Sequence, residues 1–259
     1  MTQPSVDDHG REPKRAGAPD ADGAAAGSPR PDPAAPGATV RARVAPPPGC
    51  RQVFLVRHAE SERVGTPVAM DPALTPRGQA QLAALAARVA ELAVDAVVCS
   101  ELARAARTAE VIAAPRGLAP EVDPGWNELH TVGDWRALPA ATVEELVRTP
   151  LFLPDDERPH GETLRALHRR ALAAWDRLLA RPGRALAVVS HNNLLGALIG
   201  ALLGADEGTP RRGMLWYPHT AITELWVFER DYDPALPGRL ALAYRIADAS
   251  HLPADLVTR

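Results

Sequence analysis

The stretch 53–61 reads Val53-Phe54-Leu55-Val56-Arg57-His58-Ala59-Glu60-Ser61. Its first four residues are apolar, and a short, wholly apolar run is typical of a strand buried on both faces of a sheet. Two further runs of this kind lie at 96–99 and 185–189, and polar side chains again follow each of them. The sequence therefore predicts three buried strands, each followed immediately by polar residues.

Helical patterns alternate with these strands. Thr75 and Pro76 have the residue types of an N-cap and a first helical turn, and leucines and valines further on recur on one face. The remaining expected elements are a helix start at Ser100, helices at about 162–180 and 192–203, and strands at 222–228 and 240–246, the last an edge strand. This alternation predicts an α/β fold, a three-layer sandwich with a mostly parallel central sheet and helices on both faces.

The composition changes near residue 50. Residues 1–49 hold ten of the 26 prolines, no aromatic residue, and six basic against six acidic side chains. A Pro/Ala/Gly-rich segment of this kind buries too little apolar surface to offset its chain entropy. We therefore expect a disordered N-terminal tail at 1–49 and one folded domain at 50–259.

Charge and composition exclude several classes of protein. Acidic residues outnumber basic ones by 32 to 29, which argues against nucleic-acid binding. Two cysteines cannot form a disulfide framework, and the apolar run 194–205 is too short to cross a bilayer. Residues 1–30 lack the apolar core of a signal peptide, so the expected location is the cytoplasm, with no membrane partner.

The strand ends carry the chemistry. Ligands of open α/β sheets bind beyond the carboxyl ends of the strands. Arg57 and His58 follow the first apolar run, Arg104 follows the second, and His191 follows the third. We expect these two arginines and two histidines to converge at one edge of the sheet.

These residue types suit phosphoryl transfer. A neutral imidazole is a nucleophile at working pH, and phosphoryl transfer otherwise needs positioning and charge neutralisation around the phosphoryl oxygens. The guanidinium of arginine supplies that charge in a planar fork. The start of the helix that carries Arg104 would also favour an anion, and His191 could donate to a phosphoryl oxygen.

Several motifs together resemble the histidine phosphatase superfamily, the phosphoglycerate mutase-like proteins. The resemblance spans about 50–230 and rests on the segments Leu55-Val56-Arg57-His58-Ala59-Glu60-Ser61, Leu74-Thr75-Pro76-Arg77-Gly78-Gln79, Ser100-Glu101-Leu102-Ala103-Arg104, Asn127-Glu128-Leu129, His160-Gly161-Glu162-Thr163 and Val189-Ser190-His191. It implies that His58 is the phosphorylated nucleophile and that Arg57, Arg104 and His191 form the phosphate pocket. It also implies that Glu128 donates a proton to the leaving oxygen and later activates water, with no metal and no cofactor.

Other residues bear on the substrate. Ala59 stands where the family commonly has glycine, Asn192-Asn193 replaces a Gly-Gly pair, and Val64 replaces an asparagine that is usual in phosphoglycerate mutases. The candidate substrate-binding residues are Ser61, Asn192, Trp135 and His219. Trp126 and His130 could line the cleft or pack in the core, and the segment 124–159 is expected to determine specificity.

The sequence thus predicts a metal-independent phosphatase that acts on a small phosphorylated metabolite through a phosphohistidine. A phosphomutase and a non-catalytic phospholigand-binding or scaffold protein are the alternatives. The H-x-E of His58 and Glu60 also occurs in zinc deaminases, but their P-C-x-x-C partner is absent from the sequence. The motifs G-x-S-x-G and H-E-x-x-H are absent as well, which argues against serine hydrolases and zinc proteases.

Overall fold

The computed structural model describes residues 44–62, 71–129, 139, 141–142, 162–205, 215–228 and 238–258. Residues Ala45–Arg259 form one compact unit. Residues 1–43 lie outside the described part, so the disordered tail stays a prediction. The first strand begins at Cys50.

Six strands form one sheet within the described residues. In chain order they are β1 Cys50–Arg57, β2 Ala96–Cys99, β3 Glu121–Val122, β4 Ala185–Ser190, β5 Ile222–Phe228 and β6 Leu240–Asp248. Their order across the sheet is β3-β2-β4-β1-β5-β6. β3, β2, β4 and β1 pair in parallel, whereas β5 is antiparallel to both of its neighbours. The sheet is therefore mostly parallel, as predicted.

Four α-helices cover the two faces of this sheet in the described part of the chain. They are α1 Pro76–Val89, α2 Ala103–Ala113, α3 Leu164–Leu179 and α4 Asn192–Leu202. Short 3-10 turns lie at Ala114–Arg116, Pro124–Trp126 and Ala254–Leu256.

The alternation of β1 side chains separates two cores. Phe54 and Val56 pack with the buried residues of α1 and α2 on one face. Val53 and Leu55 pack with those of α3 and α4 on the other. Successive side chains of a strand point to opposite faces, so a wholly apolar strand requires cover on both sides. The three-layer α/β sandwich predicted from the sequence is confirmed.

The predicted elements are confirmed in type, with corrections at their ends. Thr75 caps α1, since its Oγ1 accepts a hydrogen bond from the N–H of Gly78 (2.9 Å). α2 begins at Ala103 and not at the predicted Ser100, because the backbone is still extended at Leu102 (φ −76°, ψ 132°). β3 escaped prediction, since two exposed residues carry no apolar pattern.

The register of the parallel strands brings their carboxyl ends to one level. Arg57 is the partner of Ser190 across β1 and β4, and Cys99 is the partner of Val189 across β2 and β4. The residues that follow these three strands therefore leave the sheet side by side. This edge holds the predicted site.

Gly78 is required by a close approach of α1 to the loop after β1. A Cβ built on Gly78 would lie 2.0 Å from the backbone oxygen of Glu60. The buried Gln81, one turn further along, accepts a hydrogen bond from the N–H of Glu60 through Oε1 (2.8 Å). α1 thus holds the chain that continues from the site.

We expect Gly78→Ala to lower the free energy of unfolding by about 1–3 kcal/mol, the usual cost of overpacking. Gly196→Ala in α4 is the control, because the nearest atom to its added Cβ is the oxygen of Leu215 at 3.4 Å. The control gains helix propensity, so its stability stays equal or rises by up to about 1 kcal/mol. Urea denaturation of both variants is the measurement, and a Gly78→Ala protein as stable as the control would contradict the close-approach argument.

Candidate active site

His58 lies directly after β1, and its hydrogen bonds fix the ring. The backbone N–H of His58 donates to the backbone oxygen of Ser190 (3.0 Å), and this hydrogen bond joins the chain after β1 to β4. Nδ1 of the ring lies 2.7 Å from the oxygen of Ala59, and its Nε2 accepts from Nε of Arg104 (3.3 Å). A carbonyl oxygen can only accept and an arginine can only donate, so Nδ1 carries the proton and Nε2 the lone pair. The nitrogen that holds the lone pair therefore faces a guanidinium.

Arg104, the second residue of α2, lies between two imidazoles. Besides its contact with His58, its Nη2 lies 3.3 Å from Nδ1 of His191. Its Nη1 is 3.5 Å from an oxygen of Asp71, whose other oxygen accepts from the N–H of Ala103 (2.8 Å). Asp71 thus holds both the start of the helix and the guanidinium that extends from it.

His191 is the N-cap residue of α4 and is wholly buried. Its Nε2 is 2.7 Å from Oγ of Ser100. Because Arg104 donates to Nδ1, the proton of the neutral ring lies on Nε2 and is donated to Ser100. In this state Nδ1 is an acceptor, so the expected donation to a phosphoryl oxygen requires His191 to be protonated or to change tautomer.

Arg57 and His219 form the other half of the cluster. Nη1 of Arg57 donates to the oxygen of Tyr217, and its Nη2 donates to Nε2 of His219 (2.9 Å). Nδ1 of His219 then donates to Oγ1 of Thr258 (2.8 Å). His219 was predicted to bind substrate, and the structure places it beside Arg57, with its ring centroid 5.4 Å from that of His58.

The carboxyl group of Glu128, the predicted proton donor, is held by two backbone N–H groups. Its Oε1 accepts from the N–H of Leu129 (2.8 Å), and its Oε2 accepts from the N–H of Asn193 (3.3 Å). Burial raises the pKa of the Glu128 carboxyl, although these N–H groups and the charges of Arg104 and Arg57 oppose the rise. A raised pKa extends the pH range over which this carboxyl is protonated.

Other glutamates of the motif segments have partners elsewhere. The carboxylate of Glu60 lies 3.6 Å from Arg77, and that of Glu162 pairs with Arg170 at 2.5 Å. Among the described carboxyl groups with a resolved shift, Glu128 is the one whose pKa is affected by both Arg57 and Arg104. This electrostatic coupling distinguishes it from the competing candidates.

The histidines of the site are neutral at working pH. Burial, reinforced by the charges of the neighbouring arginines, holds the pKa of His58 and of His191 well below 6.5. The same causes lower the pKa of His219 to about 3, and burial lowers the pKa of Arg57 to about 10. The result is an electropositive site in which the guanidinium groups carry the charge and the imidazoles keep their lone pairs.

The remaining candidates divide into three groups. Ser61 is half-buried in an isolated bridge with Leu74, and Asn192 accepts from the N–H of Tyr217 through Oδ1 (3.0 Å). Trp126 is wholly buried in the core with α3 and α4, so a role in lining the cleft is wrong for it. Outside the described residues lie Val64, His130, Trp135 and most of 124–159.

Sequence reasoning missed several side chains that support the site. Thr108 accepts a hydrogen bond from the N–H of Ala59 (3.0 Å) and donates one to the oxygen of Arg104 (2.8 Å). These two bonds join the chain after β1 to α2. The position of Thr108 four residues after Arg104 is the helical spacing that could have indicated this link. Arg170 lies eight residues after the motif residue Glu162, but it is one arginine among many and its other partners are backbone oxygens, so the sequence did not single it out.

Two negative findings apply to the described part of the chain. No group of three or more His, Cys, Asp or Glu side chains there is arranged to hold a metal ion. No helix there has the length and apolar character needed to span a membrane.

A mostly parallel α/β sheet that brings two imidazoles and two guanidinium groups to its carboxyl edge defines a protein of the histidine phosphatase class. The sequence profile of the histidine phosphatase superfamily (branch 1) matches residues 53–234. The chain belongs to this family, as its motifs predicted.

Known proteins similar to this chain carry phosphatase and mutase names. "Probable phosphoglycerate mutase GpmB" of Erwinia tasmaniensis is 34% identical over 172 residues, which cover 62% of this chain and 79% of the relative. The structure titled "Mycobacterial hydrolase 2" has a TM-score of 0.60 at 23% identity and covers 80% of this chain and 94% of its own. A mycobacterial glucosyl-3-phosphoglycerate phosphatase with inorganic phosphate has a TM-score of 0.56 at 23% identity, with 78% and 100% covered. At these identities the structures establish the common fold.

We expect the protein to lose stability as the pH falls below 6.5. The pKa of His58, His191, His219 and His251 is lower in the folded protein than in the unfolded chain, the last two at about 3 and about 4. Below 6.5 the unfolded chain therefore binds protons that the folded protein does not, at about 1.4 kcal/mol per histidine and pH unit. Glu128, with its raised pKa, acts in the opposite direction but is one group against four.

Urea denaturation at pH 7.5, 6.5 and 5.5 measures this loss. His251→Gln is the matched control, because it removes one of the four histidines outside the cluster of imidazoles and guanidinium groups and should reduce the slope by about a quarter. An unfolding free energy that is the same at pH 7.5 and 5.5 would contradict the lowered pKa values.

Proposed function

We propose that this protein is a metal-independent phosphatase that hydrolyses a small phosphomonoester through a phosphohistidine at His58. One observation carries the proposal: Nε2 of His58, the nitrogen with the lone pair, accepts a hydrogen bond from Nε of Arg104 at 3.3 Å. A guanidinium at the nucleophilic atom is where an arriving phosphoryl oxygen would be bound. A phosphoryl oxygen there would accept a charge-assisted hydrogen bond from Nε of Arg104, and the lone pair of Nε2 would face phosphorus.

The first step forms the phosphoenzyme. The lone pair on Nε2 of His58 attacks phosphorus, and the bond from phosphorus to the leaving oxygen breaks. Glu128 donates its proton to that oxygen, so the alcohol leaves neutral and Glu128 becomes a carboxylate. Arg57 and Arg104 neutralise the phosphoryl oxygens throughout.

The second step reverses the role of Glu128. The carboxylate takes a proton from water, whose oxygen attacks phosphorus as the bond to Nε2 breaks. Inorganic phosphate leaves, and Glu128 is again protonated. The raised pKa of this carboxyl and the lowered pKa of His58 support both assignments.

We infer that the substrate is a small phosphorylated metabolite. Two proteins of the same fold are named as phosphatases of glucosyl-3-phosphoglycerate and of phosphoserine, and both of these compounds are small phosphomonoesters. The apolar core and the acidic balance of the chain give no support to a nucleic-acid or membrane partner. A cytoplasmic location stays a prediction from the sequence.

A phosphomutase is the second candidate, because relatives with 34% identity are named probable phosphoglycerate mutases. A mutase would transfer the phosphoryl group from His58 to bound product in place of water. Val64 at the position of the usual asparagine disfavours it. A non-catalytic phospholigand-binding protein is the third reading, and it would not need a neutral imidazole at the centre of the pocket.

Measuring substrate turnover and trapping the phosphoenzyme distinguishes the phosphatase, the phosphomutase and the binding protein. With p-nitrophenyl phosphate and excess chelator, we expect steady release of nitrophenolate and an acid-labile, base-stable phosphoenzyme. His58→Ala should abolish both while the protein stays folded, and His251→Gln should leave both unchanged. Phosphoryl exchange between metabolites faster than phosphate release would favour the mutase, and absence of turnover and phosphoenzyme in folded protein would favour the binding protein.

We expect Glu128→Gln to impair poor leaving groups more than good ones. Nitrophenolate needs little protonation, whereas the phenolate of phenyl phosphate needs more. kcat/KM, which reports the steps up to formation of the phosphoenzyme, should therefore fall by about 10²-fold or more for phenyl phosphate and far less for p-nitrophenyl phosphate. Steady-state kinetics on the two esters is the measurement. An equal loss on both would mean that Glu128 does not donate the proton.

A further inference from the structure

Arg170 of α3 fixes the segment that carries Glu128. Its Nη1 donates to the oxygens of Gly125 (2.9 Å) and Asn127 (2.8 Å), and its Nη2 lies 3.4 Å from the oxygen of Glu128. Three backbone carbonyls within four residues thus share one guanidinium. The intervening carbonyl, that of Trp126, accepts from Oγ of Ser190 (2.7 Å).

Glu162 sets the orientation of this guanidinium. Its Oε1 accepts from Nε of Arg170 (2.7 Å) and its Oε2 accepts from Nη2 (2.5 Å), a bidentate pair. The Glu162 side chain is 3% exposed and that of Arg170 is 14% exposed. The planar fork of arginine fits a carboxylate on one side and carbonyls on the other, which a lysine ammonium cannot reproduce.

The restrained segment leaves Glu128 few ways to move. Its backbone oxygen is held by Arg170, and its carboxylate oxygens are held by the N–H groups of Leu129 and Asn193. The preceding residue, Asn127, accepts from the N–H of Glu101 through its side chain (3.1 Å), which joins the segment to the end of β2. A misplacement of an ångström in a proton donor is enough to reduce catalysis substantially.

We propose that the Glu162–Arg170 pair is a positioning device for the general acid, and that Arg170 acts on the reaction through Glu128. The inference rests on the proposed function, since it assigns Glu128 the proton transfer. It requires that loss of Arg170 affect the leaving-group step and leave the binding of phosphate by Arg57 and Arg104 intact.

Arg170→Met, which keeps length and removes every donor, is the test variant. Its matched control is Arg177→Met, because Arg177 also extends from α3 to this loop, where it pairs with Asp123 (3.0 Å) but is half exposed. Rates on phenyl phosphate and p-nitrophenyl phosphate, the inhibition constant of inorganic phosphate, and the pH profile are measured for both. We expect Arg170→Met to lower kcat/KM, which reports the leaving-group step, by about tenfold or more on phenyl phosphate and by less than about threefold on p-nitrophenyl phosphate. The inhibition constant should stay within about twofold, and Arg177→Met should behave as the wild type.

A double variant separates positioning from general damage. If Arg170 acts through Glu128, then adding Arg170→Met to Glu128→Gln should not change the ratio of the two rates further. A purely structural role would lower both rates equally in every background. If Arg170→Met does not fold, Glu162→Gln carries the same comparison, with a shift of about threefold expected in the same direction.

The outcomes are distinct. A folded Arg170→Met or Glu162→Gln protein with the wild-type ratio of rates overturns the positioning role and leaves the phosphatase proposal standing. A wild-type protein that forms no phosphohistidine, or a Glu128→Gln variant with an unchanged ratio, overturns the proposed mechanism and the positioning role with it.

Discussion

The structure depends on a guanidinium held between two imidazoles. Arg104 donates to lone pairs of His58 and His191, and both rings keep those lone pairs because their other nitrogens are engaged by a backbone oxygen and by Ser100. Burial disfavours additional positive charge, so the imidazoles are neutral beside two arginines. The site therefore combines neutral imidazoles with a concentrated positive potential from the two guanidinium groups.

The parallel sheet makes this arrangement possible. Arg57 and Ser190 are register partners, so the residues that follow β1 and β4 start from adjacent points. α2 and α4 then begin directly beyond the strands and bring Arg104 and Asn192 to the same edge. Side chains separated by more than a hundred residues meet because hydrogen-bonded strands hold their backbones in a fixed register.

The acid side of the site is built differently. Glu128 lies in an irregular segment between Pro124 and the undescribed residues, where no strand or long helix fixes the backbone. Side-chain donors take the place of a regular ladder, with Arg170 and Ser190 engaging its carbonyls. A buried backbone needs such partners, and here they come from the helix and strand that pack against the segment.

Much of the fold and the central residues could be predicted, because apolar runs identify the strands and His58 and His191 follow them directly. Supporting residues such as Arg170 and Gln81 could not be predicted. Their partners are backbone atoms of distant segments, and a backbone atom leaves no mark in a sequence. Trp126 shows the same limit, since only packing decides whether a tryptophan lines a cleft or fills a core.

The amino-acid sequence by itself determined the layer architecture, the positions of the buried strands in the chain and the residue types at their ends, because periodicity and strand termination are local properties of the chain. Only the tertiary structure decided which nitrogen of each histidine holds a lone pair, which carboxyl is desolvated, and which arginine holds the acid-bearing segment. Those properties depend on the distance and burial of groups far apart in the chain, and these are set by packing.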